Sequence, residues 1–478
     1  MTGTLPYTLT FEPVPQTSAL VRPNLQAYMW LRQANGVFML GGRQAGLHQF
    51  KTQGNNFPQP NQTIWWADLE SGSFRPLLDL TLVTPELAAP LSATDQQSYY
   101  DADADEWLIV GGYGIDAAAN ALRTFDTLIR IPVAPFVNTM MSSLTPPQKA
   151  ASFEKLVSVQ RDPFFAVTGG ALRKLGGRYL LLFGQRMQGS YNPFVGIMEQ
   201  EYIEAVRFFR FDAQRRAVGM GEIRSPDLDK PFHRRDGPVV DTLDPDTGGA
   251  RVAAFGGVFP PGKLGGYLNP VFVEAANGRL STSTDRGVSQ LFCQYTCPVV
   301  VVWDASASTA YHTFFGGISR SWYWQNAAQQ QIYEQVTAEG RNDGLPFVAD
   351  ISTLVLGPDG YAAEWIAPAP VPNYSLHGAS TDFIPLTTTT NPALDANGIV
   401  NLAELPAGAP TLIGHIYGGV EAQYPLPVIP NYGTSATSAI YRVLISPTPA
   451  GGYIPASAGN LANGVLTPPI MSASPPPP

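Results

Sequence analysis

Six apolar runs that end in a glycine pair, or in a near miss, recur along this chain. They are VFMLGG ending at Gly42, WLIVGG at Gly112, LLLFGQ at Gln185, VAAFGG at Gly257, HTFFGG at Gly317 and HIYGG at Gly419. The first glycines of the six, Gly41, Gly111, Gly184, Gly256, Gly316 and Gly418, are spaced 70, 73, 72, 60 and 102 residues apart. Such a period marks stacked units, none of which buries its apolar face alone. It also overrides the prior from length, which would divide 478 residues into about three domains.

Each run has the same surroundings. Turn residues precede it: QANG at 33–36, DADADE at 101–106, LGG at 175–177, DPDTGG at 244–249, DASAST at 304–309 and PAGAP at 406–410. Asp, Asn, Gly and Pro supply hairpin dihedrals and side-chain-to-backbone caps. After a variable insertion comes a second apolar or alternating run: TIWWADL, DTLIRIPV, VRFFRFD, NPVFVEA, ISTLVLG and AIYRVLI. Strand, turn, strand, loop, strand, turn, strand is a four-stranded antiparallel meander, and radial stacking of meanders leaves only short, protected edges.

The glycine-terminated second strand and the aromatic third strand, as in IWWADLESGSF, resemble the Kelch repeat. The resemblance covers nearly the whole chain in six degenerate copies and implies an all-β fold, a six-bladed Kelch-type β-propeller with long inter-strand insertions. Kelch repeats are nearer about 50 residues, so these blades carry insertions. Gln185 replaces the second glycine of the third copy, and the tryptophan expected after the third strand is mostly missing. The expected organisation is one propeller over residues 1–458 and a Pro-rich tail, ending SASPPPP, over 459–478. Strands near 4–12 and 439–446 are expected to seal the ring in the last blade, with GGYIPAS at 451–457 as the alternative outer strand. A helix is expected over 326–340. The glycines read as packing residues, because a missing Cβ admits close backbone and positive φ.

Composition narrows the partners. The net charge of -9, with 14% charged residues, argues against a nucleic-acid backbone binder. The densest basic cluster, His233, Arg234 and Arg235, reads as solvated or salt-bridged surface. No apolar run of about 18 residues exists, so no helical membrane span is expected. The N-terminus lacks the pattern of a signal peptide. The compartment stays open, an extracytoplasmic protein with its leader removed being favoured over a cytoplasmic one. Cys293 and Cys297, in FCQYTCP, read as a disulfide, as buried free thiols or as two metal ligands.

The Kelch resemblance places ligands on the face of the loops after the glycine pairs. The matching positions hold Arg43, Tyr113, Arg186, Val258, Arg320 and Glu421. Of these, Arg43, Tyr113, Arg186, Arg320 and Glu421 are the candidate ligand-binding residues, and three arginines around one axis would fork carboxylates or stack on rings. Asp101, Asp103 and Asp105 begin like a calcium loop, but Glu106 and Gly112 stand where Gly and Glu are required. The five histidines form no HExxH or close pair, and there is no GxSxG elbow. No metal and no cofactor is expected.

The leading expectation is a non-enzymatic binding propeller that holds a protein or glycan partner on one face. The alternative is an enzyme acting on a small sugar or other polar ligand in the central funnel, epimerase- or oxidase-like. A structural role in an assembly is the third reading. Fold alone does not decide among these.

Overall fold

Each glycine-terminated run is the second strand of a four-stranded antiparallel meander. In the computed structural model, which describes residues 3–16, 21–49, 54–116, 119–192, 198–262, 265–325, 330–334, 345–425, 433–456 and 461–463, there are six such meanders. The first joins Met29–Gln33, Gly36–Leu40, Thr63–Asp68 and Ser73–Asp79; the second joins Gln97–Asp101, Glu106–Val110, Thr127–Pro132 and Ser158–Arg161. Ala171–Leu175, Arg178–Leu182, Val206–Phe211 and Ala217–Ile223 form the third, and Val239–Leu243, Ala250–Ala254, Val271–Ala276 and Arg279–Thr284 the fourth. The fifth, Val299–Asp304, Thr309–Ile318, Phe347–Leu356 and Ala362–Ile366, lies within a seven-stranded sheet. The sixth joins Phe383–Pro385, Thr411–Tyr417, Ile440–Ser446 and the N-terminal strand Thr8–Pro13. The fold is all-β and β-propeller-like.

The apolar cores lie between successive sheets. Phe38 and Leu40 of the first sheet pack with Trp107 and Ile109 of the second. Tyr417 and Ile440 of the sixth pack with Val37 and Met39 of the first, so the stack returns to its start. Each fully buried side chain of this size contributes about 1.5–3 kcal/mol.

A closed circuit of backbone hydrogen bonds runs through the segments that lead into the six first strands. Ala27 N–H donates to Ser380, Ser380 to Thr296, Thr296 to Asp236, Asp236 to Gly169, Gly169 to Asp95 and Asp95 back to Ala27, over 2.6–3.4 Å. The glycine pairs join one sheet to the next just outside this inner ring. Gly112 N–H donates to the Val167 carbonyl at 2.8 Å, and Gly419 N–H to the Leu25 carbonyl at 2.7 Å. A Cβ on Gly111 would fall on the Val167 carbonyl oxygen, and one on Gly418 on that of Leu25; both glycines have positive φ. Close approach is thus what the pairs provide.

Thr8–Pro13 pairs with the third strand of the sixth sheet, Thr8 opposite Ser446 and Pro13 opposite Tyr441, as the expected closure requires. The segment at 451–457 takes a different place. Ala450–Pro455 adds to the outer strand of the fifth sheet and also pairs with Gly3–Leu5. Two features depart from expectation. Gln330–Glu334 is a strand, paired antiparallel with Ser321–Gln325, within the span 326–340 where a helix was expected; the rest of that span lies outside the described residues. Three helices went unforeseen, Pro85–Leu91, Val133–Met141 and Pro146–Leu156, all short or proline-started. No helix among the described residues is long and apolar enough to cross a membrane. The Pro-rich segment from 464 onward lies outside the described residues, and Leu461–Asn463 pairs in parallel with Gln330–Glu334.

Candidate functional site

The segments of the inner ring carry buried charged groups to one place. Arg235, the residue before Asp236 of the ring, forms an ion pair with the Asp236 carboxylate and is buried with it. Its Nε donates to Tyr202 Oη at 3.2 Å and its Nη2 to Tyr191 Oη at 3.1 Å. Tyr295, the residue before Thr296 of the ring, has its side chain beside the Asp236 carboxyl and favours that group's charged form. Asp95 belongs to the ring itself, accepts from Thr94 Oγ1 at 3.4 Å and feels both Arg43 and Arg235. Burial, reinforced by the Asp236 carboxylate, raises the Asp95 carboxyl well above its ordinary value. Asp95 and Tyr295 are part-exposed as residues, whereas Arg235 and Asp236 are only 7% and 6% exposed.

Aromatic side chains line the cluster. Tyr202 stacks on His233 with ring centroids 3.8 Å apart, and His233 Nδ1 lies 2.5 Å from Glu204 Oε1. His48 packs edge-on to Tyr191 at 4.6 Å. Burial and the flanking Arg43 and Arg235 push the His48 imidazole down to about 3, so it is neutral at physiological pH. Arg43 lies under the Phe57 ring at 4.5 Å, and burial lowers its guanidinium to about 10, leaving it charged.

Among solved structures, the chain is similar to that of YjhT. It aligns over 88% of this chain and 100% of its own length, with 9% identity and a TM-score of 0.43. No protein-family model and no curated protein matches the sequence.

The five candidate residues separate. Arg43 and Tyr113 both line a cleft of about 280 Å³, walled by segments flanking the first sheet and by the strands Tyr113–Asp116 and Ala121–Thr124 of a separate four-stranded sheet. Tyr113 is buried, and its hydroxyl donates to the Gly189 carbonyl at 2.5 Å. Arg186 does not join them. The pleat of Gln185–Gln188 buries Gln185 and Met187 and turns Arg186 outward, where it pairs with Glu201. Arg320 is partly buried beyond the fifth sheet's second strand and lies outside the cleft lining. Glu421 accepts from Ser375 Oγ at 2.6 Å in a separate three-stranded sheet. The expected set of three arginines around one axis is therefore corrected: an outward pleat and a local carboxylate remove Arg186 from it.

The basic cluster is corrected as well. Arg234 and Arg235 are buried, not surface. Arg234 spends its donors on the carbonyls of Pro231 at 2.6 Å, Gly256 at 2.8 Å and Asn269 at 3.2 Å. The reading of 101–105 as a turn fits the structure: Asp101 accepts from Lys174 Nζ at 2.8 Å and from Tyr179, and Asp105 accepts from Ala134 N–H at 3.0 Å. Cys293 and Cys297 are both buried and free. Reasoning from the sequence missed Asp95, Asp236 and Tyr295; the signal for them was a position just ahead of each first strand.

Proposed function

We propose that this chain is a six-bladed Kelch-type β-propeller and a non-enzymatic binding protein that holds a saccharide at its inner ring. Six meanders, a hydrogen-bonded circuit through six segments and a stack that returns to its first sheet support the six-bladed reading. Glycine pairs acting as joints between sheets support the Kelch assignment. The observation that carries the saccharide reading is the part-exposed residues Asp95 and Tyr295 beside the buried Arg235–Asp236 ion pair. A polyol needs donors and acceptors within a few ångströms of one another, together with aromatic faces for its C–H surfaces, and this cluster offers both.

A second reading has its own observation. A carboxyl held protonated towards neutral pH beside a second carboxylate is suited to general acid–base work, so Asp95 would serve an enzyme acting on the same sugar.

Calorimetric titration with a panel of mono- and disaccharides tests the binding reading on the wild type and on Asp95→Asn and Tyr295→Phe. We expect at least one saccharide to bind, with affinity lowered about tenfold or more in each variant, equivalent to about 1.4 kcal/mol. Unchanged affinity in both variants, or no saccharide bound at millimolar concentration, would contradict it. Conversion of the bound sugar to a new species, with a pH profile altered in Asp95→Asn, would favour the enzyme.

A further inference from the structure

The cleft lined by Arg43 and Tyr113 differs in chemistry from the inner ring. Its walls are apolar, formed by Phe57, Leu80, Val83, Ile115 and Leu122 and by the helix Pro85–Leu91. Among the described residues Arg43 is the single charged residue in its lining; no carboxylate and no second cation joins it there. Tyr113 spends its hydroxyl on Gly189, and Ser92 Oγ donates to the Ala88 carbonyl at 2.9 Å, so neither offers a free donor.

Arg43 itself is 4% exposed, and its Nε and Nη1 have no hydrogen-bond partner. Burying a guanidinium with unmade hydrogen bonds costs several kcal/mol unless something compensates. The nearest charge, Asp95, is a carboxyl that burial drives towards its neutral form and that is shared with Arg235. The protein as a whole carries a net charge of -9, so a lone cation in an apolar cleft is a local exception to its field.

We propose that this cleft is a second binding site, one that takes a small apolar monocarboxylate. The ligand's carboxylate forks onto the Arg43 guanidinium, a pairing whose planar geometry suits both partners. Its hydrocarbon or aromatic body fills the space between Leu80, Val83, Ile115 and Leu122. The volume of about 280 Å³ sets the size, just below the usual range of ligand pockets, roughly 300 to 1,000 Å³. A sugar is disfavoured, because the polar lining is limited to Gln62, Thr81, Ser92, Thr94 and Tyr113 beside Arg43, and the apolar walls would leave many of its hydroxyls unpaired. A dicarboxylate is excluded, since its second charge would be buried unpaired.

The probe is 3-phenylpropionate, compared with its amide and with 3-phenylpropylamine, titrated into the full chain by calorimetry. We expect the acid to bind and the amide and amine to bind at least tenfold more weakly. Arg43→Met should abolish binding of the acid, and Ala89→Phe, which fills the cleft from the helix, should weaken it at least tenfold. Ala89→Phe lies on the helix Pro85–Leu91, away from the inner ring, and should leave saccharide binding unchanged, so failure here is distinguishable from failure of the saccharide reading. If Arg43→Met does not fold, Ala89→Phe and the acid-to-amide ratio still decide. Equal binding of acid and amide, unaltered binding in Ala89→Phe, or no binding of the acid at millimolar concentration would overturn the proposal.

Discussion

Gly169 leaves open the space that the Asp236 carboxylate occupies: a Cβ at Gly169 would overlap Asp236 Oδ1. The two residues are neighbours in the inner ring, where Asp236 N–H donates to the Gly169 carbonyl at 2.8 Å, and both have positive φ. The buried ion pair with Arg235 therefore depends on a missing side chain one repeat away in sequence.

Gly169→Ala is expected to displace the Asp236 carboxylate and disturb its pairing with Arg235. Positive φ adds about 1 kcal/mol of strain for an L-residue. Thermal melting should show a clear drop in Tm, and saccharide affinity should fall with it. An unchanged Tm together with unchanged affinity would contradict this account of the ring.

The joints between sheets give a controlled comparison. Gly111 and Gly177 both have positive φ, but a Cβ at Gly111 meets the Val167 carbonyl, whereas a Cβ at Gly177 meets nothing within 4 Å. Gly177→Ala should cost about 1 kcal/mol, the conformational penalty alone. Gly111→Ala should cost clearly more, about 2–4 kcal/mol, because backbone must move. Equal losses in urea denaturation would mean that the glycine pairs serve only φ.

Closure of the stack by the N-terminus is testable by truncation. Thr8–Pro13 pairs over its full length with Ile440–Ser446, and Phe11 packs on Phe315 with centroids 4.8 Å apart. Removing residues 1–13 exposes the sixth sheet's third strand as an unpaired edge. The truncated chain should melt at lower temperature and associate, as read by calorimetry and light scattering. A truncated chain that stays monomeric with the same Tm would contradict the closure.

The pH dependence of stability contains a contribution from one buried acid. Glu364 is 4% exposed, accepts from Leu291 N–H at 2.5 Å and Phe292 N–H at 3.3 Å, and burial raises its carboxyl from 4.5 to about 7. Between those values the folded chain holds a proton that the unfolded chain has lost. Stability from this group is therefore greatest below pH 4.5, declines as pH rises towards 7 and is level above. Glu364→Gln should remove that decline, on the order of 3 kcal/mol across the window. His48 and His312, both pushed down to about 3 by burial, act in the opposite sense below their ordinary value, but they cancel in the comparison of variant with wild type. Parallel stability curves for the two proteins would contradict the assignment.

The repeat and its strands were legible because VFMLGG and its five relatives carry both an apolar period and a turn signal. The inner ring was not. Ala27, Asp95, Gly169, Asp236, Thr296 and Ser380 are equivalent in space, yet hairpins of different length separate them from their glycine pairs, so no fixed offset aligns them. Arg235 illustrates the consequence. In HRRD it looks like a charged surface loop, and only its place beside the ring buries it. Arg186 shows the converse, since one step of the pleat past Gln185 turned an expected site residue outward. The helices at 133–156 escaped notice because an insertion that packs Phe136 and Phe153 against the first two sheets has no counterpart in the other repeats.

The most direct measurement is a crystal structure of the protein with the tightest-binding saccharide from the panel. The account predicts sugar density at the inner ring, with hydroxyls within hydrogen-bond distance of Asp95 and Tyr295. Density confined to an outer sheet edge, or to the cleft beside Arg43 with the inner ring unchanged, would contradict it.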